Sequence, residues 1–344
     1  MPIKSYAVVK LKLQSPIHLS TGALDYAQGF DILHSDTLKS ALFVAARNLE
    51  NGQIDGDFFD QFNISSAFPY FRDEYFFPKP FTALPFTDAE VKPDEAAKLT
   101  KKQNKIQFLG QSFFEALLLC QKKVLQASNY LQGGVFVSEK INSSSTDKEV
   151  FIFKEEIRQH VHIHHYREPG RPTDTFYMER KHFHPEAGLF ALIAAEDPVL
   201  EKLKVVFRLL GDMGVGNDKS NGNGQFIPEW DTLTLNVPEP TSSFMNLSLF
   251  CPSQSEINRI SLDQSSYQLV KRGGGYLASP EKSEHQRFRK RSIYMLSEGS
   301  VLRTDEIPKG KFVDLEPQKE NGGLLGHPVW RDGRSVFIPI SQTT

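Results

Sequence analysis

Three histidines two residues apart, His160, His162 and His164 in RQHVHIHHYRE, are the side chains of this sequence best spaced for chemistry. On a strand they share one face and form a comb with metal-ligand spacing. The string approaches the HxHxDH pattern of metallo-β-lactamase-type hydrolases, but His164 replaces the carboxylate that serves the second metal and the nucleophile. The surrounding elements also lack the strand repeats of such an enzyme. The competing reading is a surface where histidines stack on a partner or hydrogen-bond to it. His18 and His34 form another pair to weigh, because RNA cleavage needs one imidazole to take the 2′-hydroxyl proton and another to protonate the leaving oxygen. No GxSxG, HExxH or paired CxxC occurs. The sequence thus makes no positive case for an enzyme, and no metal or cofactor is expected.

The second candidate is GDMGVGNDKSNGNGQF, Gly211 to Phe226, which carries five glycines and a Lys-Ser pair. Glycine lets backbone N–H groups crowd an anion, and lysine adds a point charge. A GxxxxGK[ST] phosphate loop needs glycine before the lysine, whereas Asp218 stands there, and GxGxxG fails at Lys219 and Ile227. The upstream AEDPVLEKLKVVFRLLG predicts a helix, with Asp197 as cap, Pro198 in its first turn, Leu200, Leu203, Phe207 and Leu210 at helical spacing, and Gly211 as its end. Downstream, residues 225–235 alternate like a strand. The loop therefore leaves a helix C-terminus and lacks the favourable dipole of a nucleotide loop. A flexible connector and a polyanion-binding loop both remain open.

Positioning such sites takes a folded chain, and 344 residues with 39% hydrophobic content suffice for two domains. No apolar run approaches membrane-spanning length, and MPIKSYAVVKLKLQ is no signal leader, so a cytoplasmic location and no membrane partner are expected. Cys120 and Cys251 lie in apolar surroundings, as buried thiols do. A formal net charge of −2 argues against a sequence-blind binder of duplex DNA but leaves room for a local track. Basic clusters occur at Lys98–Lys105, at Arg158, Arg167 and Arg171, at Lys271–Arg272 and at Arg287–Arg291. Interleaved with 11% aromatic residues, these are the ingredients of a single-strand groove.

SYAVVKLKLQS predicts a strand with Val9, Leu11 and Leu13 on one side and Lys10, Lys12 and Gln14 on the other. HSDTLKSALFVAARNLENG predicts a helix capped by Ser35 or Asp36, with Leu38, Ala41, Leu42, Ala45 and Leu49 inward and Gly52 closing it. A second helix is expected at Leu109–Gln126, and the prolines of FPYFRDEYFFPKPFTALPF are read as excluding regular structure. NSSSTD at 142–147 reads as a mobile tip. The stretch from VHIHHY onward predicts a hairpin leading into a buried strand at Leu189–Ala194. The order of elements is βαββαβ, an α+β ferredoxin-like pattern with a large insertion at about 52–188. A composition shift at 236–243 divides a first domain, 1–238, from a strand-rich second α+β domain, 239–344, with one short helix.

The glycine loop after a helix resembles the signature loop of the RAMP superfamily, the ferredoxin-like RNA-binding subunits of CRISPR effector complexes. ILHSDTLKSAL, KRGGGY, KRSIYMLSEGSV and GHPVWRDGRSVFIPI together resemble the fourth-subunit family of Csm (type III-A) complexes, over nearly the whole chain. The resemblance implies two ferredoxin-like domains, a β-hairpin thumb and a non-catalytic scaffold that holds the 5′ handle of the guide RNA (crRNA). It also implies a seat between a large polymerase/cyclase-like subunit and the RAMP backbone subunits. RNA contacts are thereby expected at Gly214, Gly216, Lys219, Ser220, Gly222 and Gly224, at His18, at Ser35, Asp36 and Lys39, with Asp36 equally a helix cap, and at Arg272 and Gly273. In IHHYREPGR the chain keeps Arg167, Gly170 and Arg171 of a family run but has Tyr166 where an aspartate is common, so the carry-over to Arg167 and Arg171 is weaker. The alternative function is a RAMP-type endoribonuclease that processes precursor crRNA with His18 or His34.

Overall fold

The computed structural model describes residues 2–19, 31–49, 56–91, 95–141, 150–162, 174–239, 241–274, 288–319, 322–323, 325 and 327–341. Its elements are β1 (Ile3–Leu13), α1 (Ser35–Leu49), β2 (Phe68–Phe71), α2 (Ala96–Lys105), α3 (Gln111–Leu118), β3 (Phe153–His162), β4 (Asp174–Phe183), β5 (Ala187–Ala194), α4 (Asp197–Met213), β6 (Phe226–Asn236), β7 (Ser243–Asn246), α5 (Gln254–Ile257), β8 (Leu269–Gly273) and β9 (Ser292–Leu296), among shorter strands. The chain is a mixed α+β fold with five helices and several sheets among the described residues. No helix among them is long and apolar enough to cross a membrane.

The main sheet runs β6, β1, β5, β2 with every neighbour antiparallel, then extends through Glu74–Pro78, Phe108–Gly110 and Phe136–Val137. Alternation along β1 separates two cores. Val9 and Leu11 face α1 and α4 and pack with Leu38, Leu42, Leu203, Phe207 and Leu210. Tyr6 and Val8 face the opposite side, where Phe68, Phe76, Phe77 and Phe190 form an aromatic layer. Phe77 stacks on Phe114 with ring centroids 4.2 Å apart and planes 9° from parallel. The lysine side of β1 is therefore not free: Lys10 lies 5.0 Å over the Tyr75 ring and 3.4 Å from Asp231.

Several expectations need correction. Residues 109–126 are not one helix. Only Gln111–Leu118 is α-helical, flanked by the strands Phe108–Gly110 and Lys123–Leu125. The aromatic, proline-rich stretch forms β2 and Glu74–Pro78, a buried hairpin. Its Pro69 pairs in register with Leu189, and proline is tolerated in a ladder wherever its missing N–H is not needed. The expected insertion at 52–188 thus contributes β2 to the main sheet, and within it the long hairpin β3–β4 stands as a separate two-stranded ribbon. In α1, Leu38, Leu42 and Ala45 are buried but Leu49 is 42% exposed, and Gly52 lies outside the described residues, as does the 142–147 tip.

Among the described residues, the segment after 243 is strand-rich with one short helix, α5, as expected. Ser253 accepts from the Glu256 N–H while the Glu256 carboxylate accepts from the Ser253 N–H, a capping box that starts α5. The core continues across 236–243, because Met245, Leu247, Val336 and Ile338 join the cluster that holds Val8 and Phe190.

Candidate nucleic-acid interface

The glycine loop is built on a seam of three segments. Helix α4 runs through Gly211 to Met213, beyond its expected end, because the missing Cβ of Gly211 lets the Phe226 carbonyl approach. Gly214, at φ 75°, closes the helix with its N–H on the Leu210 carbonyl at 2.9 Å. The loop then folds back on itself and on the turn after β1. The Val215 N–H donates to Gly224 O at 2.9 Å, the Gly224 N–H to Pro16 O at 2.8 Å, and the Asn217 N–H to His18 O at 3.1 Å. Two glycines are needed for this closeness: a Cβ on Gly216 would sit 2.6 Å from the His18 carbonyl, and one on Gly224 would collide with the Val215 carbonyl. Gly214 and Gly224 are buried, so their role is to shape the loop, and the expected direct contact from their amides is not available.

The third segment is the base of the hairpin. The Lys181 N–H donates to Ile17 O at 2.8 Å, and His18 Nδ1 donates to Glu179 O at 2.7 Å. Buried Asp218 joins the pieces: its carboxylate accepts from Arg180 Nη2 at 2.6 Å, Asn221 Nδ2 at 2.6 Å and Asn223 Nδ2 at 2.7 Å. Lys181, 2% exposed, has Asp31, Glu155 and Glu179 within 2.9 Å; burial opposes its charge, but these carboxylates raise its pKa well above the usual lysine value. What remains outward is the tip, with Lys219, Ser220 and Gly222 exposed. The hairpin rising from the same seam exposes Ile157, Val161 and Tyr177, and His160 stacks on Phe176 at 5.3 Å. Lysine, hydroxyl, backbone and flat rings on one structural unit match the needs of single-stranded nucleic acid.

The other expected contacts lie elsewhere and are turned inward. The Ser35 hydroxyl accepts the Leu249 N–H at 3.0 Å, and its own N–H donates to Ser66 Oγ at 2.8 Å. Asp36 is fully buried and accepts from Arg272 Nε and Nη2, both at 2.9 Å, and from Arg331 Nη1 at 3.1 Å. Burial alone would raise the Asp36 pKa, but the two guanidiniums outweigh it and hold the carboxyl far below the usual range. Lys39 donates to Asp332 at 2.5 Å and to Phe62 O at 2.9 Å, and burial pushes its pKa down to about 8 against the pull of Asp332. Gly273, at φ 94°, leaves no room for a Cβ beside the Arg291 carbonyl. Ser35, Asp36, Lys39 and Arg272 therefore fasten the first part of the chain to the last. They are not open to RNA here, a correction of the expectation, and Asp36 is an ion-pair anchor rather than a cap.

His18 and His34 are 2% and 6% exposed, and His34 Nδ1 sits 2.8 Å from Glu298. The two rings are held by different segments, His18 by the Glu179 carbonyl and His34 by the Glu298 carboxylate. The histidine comb lies only partly within the described residues: His160 is stacked on Phe176, His164 lies outside them with Arg167 and Arg171, and no cluster of metal-binding side chains occurs among the described residues. Sequence reasoning missed Arg180, Asp218, Arg331, Asp332 and Arg334. Asp218 stood in the glycine loop itself, and the alternating charges of MERK and the run WRDGR were the signals available for the others.

Residues 10–227 match the RAMP superfamily, and residues 239–340 match the CRISPR Csm4 C-terminal domain. The chain is 25% identical, over 80% of its length and 83% of the relative's, to the CRISPR system Cms protein Csm4 of Thermococcus onnurineus. It is 23% identical, over 97% of both chains, to the protein of that name from Methanocaldococcus jannaschii. Among solved structures, it shares its fold with a chain of the Csm3-Csm4 subcomplex of the type III-A CRISPR-Cas interference complex, at a TM-score of 0.61, 19% identity, and coverage of 98% of this chain and 100% of that one. A Csm1-Csm4 cassette in complex with cA4 matches at a TM-score of 0.61 and 19% identity over 99% and 100% of the chains.

Proposed function

The chain belongs to the RAMP superfamily, and on that premise we propose that it is a non-catalytic RNA-binding scaffold subunit of a type III-A CRISPR ribonucleoprotein. It holds the crRNA 5′ handle and bridges the large polymerase/cyclase-like subunit to the RAMP backbone subunits. The observation that carries this reading is the exposed tip Lys219–Gly222 on a rigid seat formed by Asp218, Arg180 and the turn Pro16–His18. A lysine on a preformed loop binds phosphate without an ordering cost at the moment of contact. The partners follow from the solved relatives, which are assemblies of Csm4 with Csm1 and with Csm3.

In this reading 1–238 and 239–344 are two ferredoxin-like domains. The strand order β6, β1, β5, β2 with α1 and α4 packed on one face supports the first. The hairpin β3–β4 serves as the thumb. The RNA contacts are Lys219, Ser220 and Gly222, together with Arg167 and Arg171, which lie outside the described residues, and Gly214, Gly216, Gly224 and His18 shape the seat. The test is to purify the tagged complex with Lys219→Ala and Ser220→Ala together and to sequence the bound RNA. Loss of RNAs sharing one 5′ sequence, with the chain still folded, is expected. Unchanged RNA with an unchanged 5′ end removes the proposal.

A further inference from the structure

Helix α2, AAKLTKKQNK, carries four lysines and no acid. Its packing divides them. Lys102 is half-buried and pairs with Asp88 at 3.1 Å and Glu90 at 2.9 Å, beside Gln103, whose Nε2 donates to Phe86 O at 2.8 Å. Lys98 pairs with Glu95 at 3.4 Å. Lys101 and Lys105, four residues apart, are exposed and make no ion pair among the described residues. Like charges at that spacing repel along a helix, so this face suits an anion that arrives from outside. The neighbouring segment adds rings. Lys79 Nζ donates to the Gln103 carbonyl at 2.9 Å, which ties the chain before Phe81 to α2. The Phe81 N–H donates to Gly299 O at 3.1 Å, and the Ser297 N–H of the same turn donates to Gln268 O at 2.9 Å. Gly299, at φ 86°, permits this seam, because a Cβ there would sit 2.6 Å from the Lys79 carbonyl. One ring tied to each side of that turn stays in solvent, Phe81 at 42% and Tyr267 at 39% exposed.

We propose that Lys101, Lys105, Phe81 and Tyr267 form a second single-strand platform, which carries RNA outside the 5′ handle. The proposal rests on the RNA-binding reading above but uses residues to which that reading assigns no contact. Exposed rings accept stacked bases of any sequence, and lysines track the phosphates of the same strand. A protein partner fits this face less well, because lysine is depleted in protein–protein interfaces and here supplies all of the charge. The bonds through Lys79 and Gly299 join α2 and the Phe81 segment into one unit, so little ordering is left to the moment of contact.

The full chain is titrated at several salt concentrations with two RNAs, the shared 5′ sequence alone and the same sequence extended at its 3′ end. Lys101→Gln with Lys105→Gln is expected to lower the slope of log affinity against log salt by about 1.4 on the extended RNA, the loss of two single-strand phosphate contacts, and to leave the short RNA unchanged. Phe81→Ala with Tyr267→Ala is expected to weaken the extended RNA about fivefold or more at an unchanged slope, as lost stacking does. The lysine pair is expected to melt no lower than the wild type, because its replacement relieves a like-charge repulsion. Supplying the extension as a separate strand tells the sources apart. A slope loss there too assigns the platform to a strand bound in trans, and a loss confined to the joined RNA assigns it to the guide's own continuation. Unchanged RNA binding in both variants, with a reduced slope in Lys219→Gln, overturns the platform and leaves the RNA reading standing. Unchanged RNA binding with partner subunits lost from the tagged complex overturns it in favour of a protein contact. RNA binding absent from the wild type overturns both readings.

Discussion

Two buried aspartates organise this molecule, and they do opposite things. Asp218 collects Arg180 and two loop asparagines from within 38 residues of itself, and the cage it forms pushes Lys219 into solvent on the adjoining residue. Asp36 collects Arg272 and Arg331 from 236 and 295 residues away and closes the seam between the beginning and end of the chain. The chemistry is the same, a carboxylate paired with guanidinium in a poorly hydrated place. The difference lies in what surrounds the pair: at Asp218 a tight loop displays its neighbours, and at Asp36 two large surfaces hide them. A polar motif that stands out in sequence can thus be either a contact or a rivet.

The largest effect that separates the two is expected from Asp36→Ala. It leaves two buried guanidiniums without a counter-charge and should cost about 3–5 kcal/mol in denaturant unfolding. Acid gives the same contrast by titration. Asp36 has a folded pKa below its unfolded value of 3.8, so its contribution is complete above that value and is lost as the pH falls toward the folded one. Asp36→Asn should lack this component of the acid unfolding curve, and identical curves for variant and wild type would break the contrast.

In the loop, Gly224→Ala should cost roughly 2–4 kcal/mol, since it combines left-handed strain with a clash against the Val215 carbonyl. Gly222→Ala, at φ 77° with nothing within 4 Å, should cost only about 1 kcal/mol. Equal losses would mean that the loop is not seated as described. Asp218→Ala should cost about 1–3 kcal/mol by stranding Arg180 and the two amides, and should reduce RNA affinity in a filter-binding assay even at temperatures where the chain stays folded. The smallest stability effect belongs to Lys219→Ala, within about 0.5 kcal/mol, with its loss confined to RNA binding.

Local patterns made the framework legible. The alternation of β1, the helical spacing of α1 and α4 and the apolar run of β5 could be read directly. Gly211 misled because glycine after a helix usually marks its end, whereas here it makes room for a neighbouring strand. The hairpin at 68–78 was hidden by its prolines, yet Pro69 and Pro78 both stand in register with neighbouring strands. The glycine loop could be found from composition, but the alternating charges around Arg180 do not say that its partner lies 38 residues further on. Asp36 was visible and misassigned, because nothing near it in sequence announces Arg272 or Arg331. Pairings over such distances leave no period to read.

The position of β1 in the sheet also bears on how the chain is made. Its two neighbours are β5 and β6, residues 187–194 and 226–236, so both of its edges stay unpaired until most of the first 236 residues have been synthesised. At 5–20 residues per second a ribosome takes roughly 10–50 s to deliver them, far longer than a hairpin needs to form. During that interval an apolar strand with two bare edges is a template for pairing with other chains. The order of translation, rather than the stability of the finished fold, is therefore where this protein is most exposed to aggregation. Fragments that stop before residue 187 should be recovered only with chaperones bound.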